Sequence, residues 1–324
     1  MAGAIRIHKT GGPEVLSYET VEVPAPGPGE ALIRHHACGV NFIDTYYRSG
    51  LYSPGPLPFV LGAEGAGEVL AVGEGVTNVL PGDRVAYAGS IGSYAQERLY
   101  PAARLVTLPA GIAYEQAAAM MLKGMTAQYL LRRTFRVEKG HTVLVQAAAG
   151  GVGLLLCQWA KALGATVIGT VGSEEKAALA RANGADHTVL YKSEDWVKRV
   201  AELTGGEKCD VVYDGVGRDT YPGSLDCLKP LGYWVSFGNA SGPVEPVSPL
   251  VLMQKGSLFM TRPTLGTYTA KREDLVATAN ELFAAVASGA ITVPINQRYA
   301  LKDARKAHED LEGRATTGAS VLIP

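Results

Sequence analysis

Residues 142–163 read TVLVQAAAGGVGLLLCQWAKAL, and this stretch decides the fold. Its opening, Thr142 to Ala147, is a short apolar run bounded by turn signals, which reads as a buried strand. Beyond the glycines the period changes. Val152, Leu155, Leu156, Trp159, Ala160 and Leu163 fall at i, i+3, i+4, i+7, i+8 and i+11, the spacing of an amphipathic helix, and Gly164 marks its end. The turn between them, Ala148-Ala149-Gly150-Gly151-Val152-Gly153, is a G-x-G-x-x-G pattern whose first Gly has become Ala. A glycine turn that follows a strand and opens a helix is the start of a dinucleotide-binding unit. Gly150 lets the backbone approach a pyrophosphate and Gly153 lets helix pack on strand. The N–H groups opening the helix, at Gly151 and Val152, face the phosphates. From His141 to Ala160 there is no Asp, Glu, Lys or Arg. That length could be taken for a membrane span, but the clustered glycines and the change of period exclude one.

Working outward, strands and helices continue to alternate: strand 165–170, helix 174–183, strand 187–190, helix 195–203, strand 209–213, helix 220–228 and strand 233–237. Gly184 ends the second helix and Ser193 reads as the N-cap of the next. Alternation of this kind builds a doubly wound parallel sheet, so the fold class is α/β. The first 120 or so residues have another texture, rich in Gly and Pro, with β-like runs at Ala2 to His8, Ala31 to Cys38 and Arg84 to Ala88. They read as an antiparallel, loop-rich β domain. After residue 262 come a helix near 271–288, a strand near 295–299, a short helix near 301–312 and a terminal strand, Ala319 to Ile323. This tail is expected to return to the first domain.

The 324 residues fit about two domains. With 30 Lys plus Arg against 31 Asp plus Glu the net charge is −1, and no basic run is present, so nucleic acid is not an expected partner. Cys38, Cys157, Cys209 and Cys227 are scattered without a C-x-x-C pair, which fits a reducing compartment and no disulfide framework. No apolar N-terminal signal is evident, so a cytoplasmic location is expected.

The end of the second strand discriminates between dinucleotides. An NAD enzyme places an acid there, about 20 residues past the glycines. Here the strand ends Val171-Gly172-Ser173, with Val171 where the acid would stand. Glu174 and Glu175 belong to the first turn of the following helix, where they favour its dipole. Lys176 is placed to meet a 2′-phosphate, though it also reads as a solvated helix lysine. Tyr191, after the third strand, offers a hydrogen bond or a face for the adenine. The expected cofactor is NADPH.

These residues resemble the quinone oxidoreductases of the zeta-crystallin type, within the zinc-independent medium-chain dehydrogenase/reductase superfamily. The likeness rests on Gly140-His141 through Lys161, on Gly39-Val40-Asn41-Phe42-Ile43-Asp44-Thr45-Tyr46, on Leu61 to Gly67, on Pro81 to Val85 and on Ser236 to Asn239. It implies a GroES-like catalytic domain, 1–123 and 263–324, and a Rossmann domain, 124–262, with a cleft between them, and a homodimer. In zinc enzymes of this superfamily a Cys and a His serve as ligands where this chain has Asn41 and Ala63, and no Cys lies between 38 and 157 to form a structural zinc loop. Catalytic zinc needs three protein ligands, so no metal is expected. Cys38 reads as a buried strand thiol.

The resemblance also implies roles. Asn41, Tyr46 and Tyr52 would line the substrate side, with Arg262 reaching in. Lys123, Thr126 and Tyr129 would approach the nicotinamide or its ribose. Phe42, Val216, Phe237, Gly238 and Asn239 would flank the dinucleotide, and Arg314 would approach from the tail. A small-molecule quinone is the expected partner, since it accepts electrons without a metal, leaving the protein to orient, exclude water and stabilise developing oxyanion charge. Reduction of an enone or enal on the same scaffold is the alternative, and a crystallin-like NADPH- or RNA-binding protein with little turnover is a third reading.

Overall fold

The computed structural model describes residues 1–53 and 55–324. The chain divides into two compact units. The first comprises Met1–Met125, Thr269–Phe283 and Val293–Pro324; the second comprises Thr126–Tyr268 and Ala284–Thr292. The divisions therefore fall inside helix Tyr114–Tyr129 and after Tyr268, compared with the expected 123 and 262. Residues 284–292 go with the second unit, where the Gln158 side chain accepts from the Thr292 N–H at 2.7 Å.

In the second unit six parallel strands form one sheet, in the order His187–Leu190, Thr166–Val171, Thr142–Val145, Cys209–Asp214, Leu228–Ser236, Phe259–Thr261. Numbered along the chain that order is 3-2-1-4-5-6, a doubly wound sheet whose order reverses between the first and fourth strands. The segment 141–160 accordingly resolves into strand, turn and helix Gly151–Ala162, and no helix among the described residues is long and apolar enough to cross a membrane. Leu144, Ile168, Val212 and Trp234 are fully buried in one core cluster. Each such side chain contributes roughly 1.5–3 kcal/mol relative to exposure. The helices stop where glycine supplies a left-handed residue: Gly164 has φ 86° and Gly184 φ 96°.

Two local readings need correction. Asp195, not Ser193, caps helix Trp196–Leu203, its carboxylate accepting from the Lys198 N–H at 3.1 Å; an Asp adjacent to the first turn reaches those donors and Ser193 stands two residues outside it. The helix expected over 220–228 is only Gly223–Asp226, and the fifth strand begins already at Leu228. The residue before a proline is disfavoured in the helical region, so Tyr221 does not join a helix through Pro222, and Pro222 is the N-cap instead.

The first unit is built on two sheets that are antiparallel except where Ile295–Ala300 runs parallel to Ala319–Ile323. The eleven-residue strand Glu30–Val40 pairs with Glu64–Val72 and, on its other side, with Glu97–Pro101 near its start and Ala319–Ile323 near its end. The terminal strand thus rejoins this unit, its residues Ser320 to Leu322 opposite Val40 to Cys38. A second sheet places Ala2–Ile7 between Ser17–Val21 and Phe59–Val60.

Candidate active site

In the second unit most of the expected dinucleotide residues gather by topology. Gly150 to Val152 follow the first strand, Gly172 and Ser173 the second, Tyr191 the third, Val216 the fourth and Phe237 to Asn239 the fifth, and Arg262, expected on the substrate side, follows the sixth. All therefore stand beyond the carboxyl ends of one parallel sheet, where open α/β sheets bind ligands. A Cβ on Gly153 would lie 2.3 Å from the Ala147 carbonyl oxygen, so only glycine permits this helix-to-turn approach. Gly150 differs: its φ is −78° and an added Cβ would meet only that same oxygen, at 3.2 Å. Its open side is what a pyrophosphate would need. The loops after the fourth and fifth strands are laced together, Ala240 N–H to Gly215 O at 3.2 Å and Ser241 N–H to Val216 O at 2.9 Å.

At the tip of the second strand, Val171, expected where an NAD enzyme would place its acid, is 2% exposed, and Gly172 follows it. A Cβ there would lie 2.7 Å from the Tyr191 hydroxyl and 3.5 Å from Cε of Lys192, so both side chains cover the glycine. Lys192 was missed by sequence reasoning; its signal was a second base directly after Tyr191. Ser173 is the N-cap of helix Glu174–Ala182, its hydroxyl accepting from the Lys176 N–H at 3.3 Å, and Glu174 and Glu175 occupy the first turn.

Tyr129 and Thr126 are buried near the end of their helix, which widens into a π-helical turn, Leu130–Thr134. Tyr129 stacks on Tyr268, ring centroids 4.5 Å apart at 15°, and its burial pushes its phenol well up. The Arg133 guanidinium covers the Tyr268 ring at 5.2 Å. Arg262, Arg133, Tyr268, Thr261, Thr264 and Thr267 line a cavity of about 370 Å³ together with Pro263. Tyr268, which ties Tyr129 to this cavity, had no motif to announce it.

In the first unit, Asn41 caps helix Phe42–Ser49, with its N–H donating to the Asp44 carboxylate at 2.9 Å. Its side-chain amide donates to Glu64 Oε2 at 2.8 Å. Glu64 is fully buried and also accepts from Lys123 Nζ at 3.2 Å and from the Leu122 N–H at 2.7 Å. Glu64 thus brings Asn41 and Lys123 together, a role its place in a glycine-rich motif did not disclose. Gly39 is required beside them, because a Cβ there would sit 2.2 Å from Glu64 Oε2. Tyr46 and Tyr52 meet edge to face at 5.2 Å, and Tyr47, also unforeseen, meets Tyr52 at 5.8 Å. Arg314 lies in this unit, in a left-handed turn with φ 58°. Ala63 is buried, as is Cys38, whose thiol donates to the Ser93 carbonyl at 2.7 Å and is pushed up to about 12 by burial. Among the described residues no three His, Cys, Asp or Glu side chains are grouped to hold a metal.

Comparison with known proteins finds relatives over the whole chain. Residues 27–131 match the alcohol dehydrogenase GroES-like domain and residues 151–284 the zinc-binding dehydrogenase family. A quinone oxidoreductase of Pseudomonas aeruginosa is 56% identical, with both chains covered in full. The crystal structure of Escherichia coli quinone oxidoreductase complexed with NADPH is 52% identical, also over the whole of each chain, with a TM-score of 0.98. A 2-haloacrylate reductase from a Burkholderia species is 45% identical over all of this chain and 99% of its own.

Proposed function

The chain belongs to the quinone oxidoreductases of the medium-chain dehydrogenase/reductase superfamily, and we propose that it uses NADPH to reduce quinones without a metal. The observation that carries this reading is the gathering of the dinucleotide residues at the carboxyl ends of one sheet, with no acid at the second strand's tip and two lysines, Lys176 and Lys192, beside it. These residues fit the cofactor: the N-terminus of helix Gly151–Ala162 and the open side of Gly150 suit a pyrophosphate. Lys176, Lys192 and Tyr191 suit a 2′-phosphate. When bound, NADPH supplies the reducing equivalents. Tyr129 and Tyr268 form a stacked aromatic wall, and Arg262 brings positive charge to the cavity that Tyr268 lines. In the other unit, Glu64 fixes Asn41 and Lys123, so the amide and ammonium are oriented before any acceptor arrives. Tyr46 and Tyr52 supply hydroxyls suited to a quinone oxygen.

Metal independence is supported by Asn41, whose amide is committed to Glu64. A homodimer is supported by the sixth strand, Phe259–Thr261, at the edge of its sheet, with Phe259 and Met260 half exposed and Leu250 and Met253 exposed in the preceding helix. A cytoplasmic location is supported by four free, buried thiols.

The 2-haloacrylate reductase relative favours a second reading, reduction of a conjugated carbonyl. The deciding experiment compares kcat/KM for a benzoquinone, a naphthoquinone and an enone with NADPH. Quinones should lead by about tenfold or more, a difference near 1.4 kcal/mol; a lead for the enone would overturn the quinone assignment.

A further inference from the structure

A chain of buried side chains connects the glycine turn to the loop after the fourth strand, and none of its members belongs to the motifs by which the nucleotide site is recognised. It begins at Ala147, a non-glycine residue held at φ 55°. That left-handed conformation is disfavoured for any residue with a Cβ and needs support from its surroundings. The support is visible. The Ala147 N–H donates to Thr170 Oγ1 at 3.3 Å, and the Ala147 carbonyl accepts from the Gly150 N–H at 2.9 Å. Thr170 in turn donates to Gln146 Oε1 at 2.5 Å. Gln146 Nε2 donates to Ser224 Oγ at 3.2 Å, and Ser224 donates to Asp214 Oδ2 at 2.8 Å. Thr170, Gln146, Ser224 and Asp214 are all buried.

Every hydroxyl in this series accepts one hydrogen bond and donates one, so the donors run in a single direction and end on a carboxylate. Aligned chains of this kind strengthen their members, and a break leaves a buried donor or acceptor unpaired. Asp214 carries the order onward. Its Oδ1 accepts from the Val216 N–H at 2.9 Å and the Gly217 N–H at 3.1 Å, which sets the path of the loop after the fourth strand. Gln146 follows the first strand and Asp214 ends the fourth, and those strands are the neighbours at which the sheet order reverses. The chain therefore spans the crevice at which a doubly wound sheet receives its dinucleotide.

We propose that Gln146 and Thr170 are positioning residues for the cofactor, holding the Ala147 peptide, and with it the glycine turn, in register with the 214–217 loop. The inference rests on NADPH being the ligand of this site. Neither residue needs to touch the cofactor; each acts by making the turn rigid before binding.

The test measures the NADPH dissociation constant by fluorescence, alongside KM for NADPH, kcat at saturation, circular dichroism and thermal midpoint, in the wild type, Gln146→Leu, Thr170→Val and Thr170→Ser. Gln146→Leu and Thr170→Val should remain folded, raise the dissociation constant and KM by about fivefold to tenfold, and keep kcat within about twofold. Thr170→Ser retains the hydroxyl and should bind as the wild type does. If Gln146→Leu does not fold, the Val and Ser variants at 170 carry the same comparison. A lowered thermal midpoint with unchanged NADPH binding in Gln146→Leu or Thr170→Val would show a purely structural network and overturn the inference. Equal losses in Thr170→Ser and Thr170→Val would do the same. A wild-type chain that fails to bind NADPH would overturn the cofactor reading itself, and this inference with it.

Discussion

The Asn41 side chain donates to the Glu64 carboxylate at 2.8 Å, both groups buried, in the place where a zinc enzyme of this superfamily would present a metal ligand. An amide satisfied by a carboxylate is not a zinc ligand, and Ala63 beside Glu64 offers none. Turnover should therefore survive prolonged treatment with chelators, and elemental analysis of the purified protein should show no stoichiometric zinc. One zinc per chain whose removal abolishes turnover would contradict the metal-free reading.

Gly150→Val tests the phosphate cradle. A Cβ at this position meets only the Ala147 carbonyl, at 3.2 Å, a tight contact that needs a shift of a few tenths of an ångström, and φ is −78°, which any residue adopts. The branched side chain fills the side from which a pyrophosphate must approach. NADPH affinity should fall by at least about tenfold, about 1.4 kcal/mol, with circular dichroism unchanged. Undiminished binding in the folded variant would place the phosphates elsewhere.

Cofactor preference is carried by the strand tip. Lys176→Ala and Lys192→Ala should each weaken NADPH by several-fold, since a partly exposed ion pair is worth about 1 kcal/mol or less, and should leave NADH nearly unaffected. Gly172→Asp sets a carboxylate beside Lys192 and requires the Tyr191 hydroxyl to shift, so it should penalise NADPH more than NADH. Val171→Asp, by contrast, would bury a charge and lower stability rather than switch the cofactor. Equal losses of both dinucleotides in both lysine variants would refute the pocket.

Met260→Lys addresses assembly. Phe259 already stacks on Tyr233 at 4.6 Å, so Met260 is the cleaner probe of the exposed edge. Light scattering should give a dimer for the wild type and a monomer for the variant, because a charge on a self-pairing edge faces its own copy. A variant that remains dimeric would locate the interface elsewhere.

The parallel sheet was readable because its strands are short apolar runs and its helices end at Gly164 and Gly184, both local signals. Asn41 and the glycine turn were readable as motifs. What escaped was formed by distance in sequence. Glu64 reaches Asn41 across 23 residues and Lys123 across 59. Gln146 reaches Ser224 across 78. No period or spacing encodes such partners, since only the packed sheet brings them together. The burial of Val171 was hidden for a related reason: alternation along a strand tells which residues share a face, but not which face is covered.

Acid stability should follow three buried groups with opposed signs. Arg48 can only donate, and it points Nη1 at Nδ1 of His308 at 3.0 Å, so the neutral ring carries its proton on Nε2, facing the Tyr94 hydroxyl at 3.1 Å. Burial, with Arg48 adding to it, lowers His308 to about 3, and burial likewise lowers His35 to about 3. Burial raises Asp44 to about 7 against the hydrogen bonds from Tyr94 and Asn41. Between about pH 4 and 6.5 the unfolded chain thus binds two protons at the histidines that the native state refuses, while the native state holds one at Asp44 that the unfolded chain releases. The difference is 2 − 1 = 1 proton, so these groups make stability rise with pH by about 1.4 kcal/mol per unit across that window. Above 6.5 the histidine term is complete and only the loss from Asp44 continues, up to about 7. His308→Gln can still accept from Arg48 and donate to Tyr94, and it should flatten the slope by about one proton. Asp44→Asn should steepen it by about one. Urea unfolding of the three proteins from pH 4 to 7 measures both changes, and slopes that move in the same direction in the two variants would contradict the assignment.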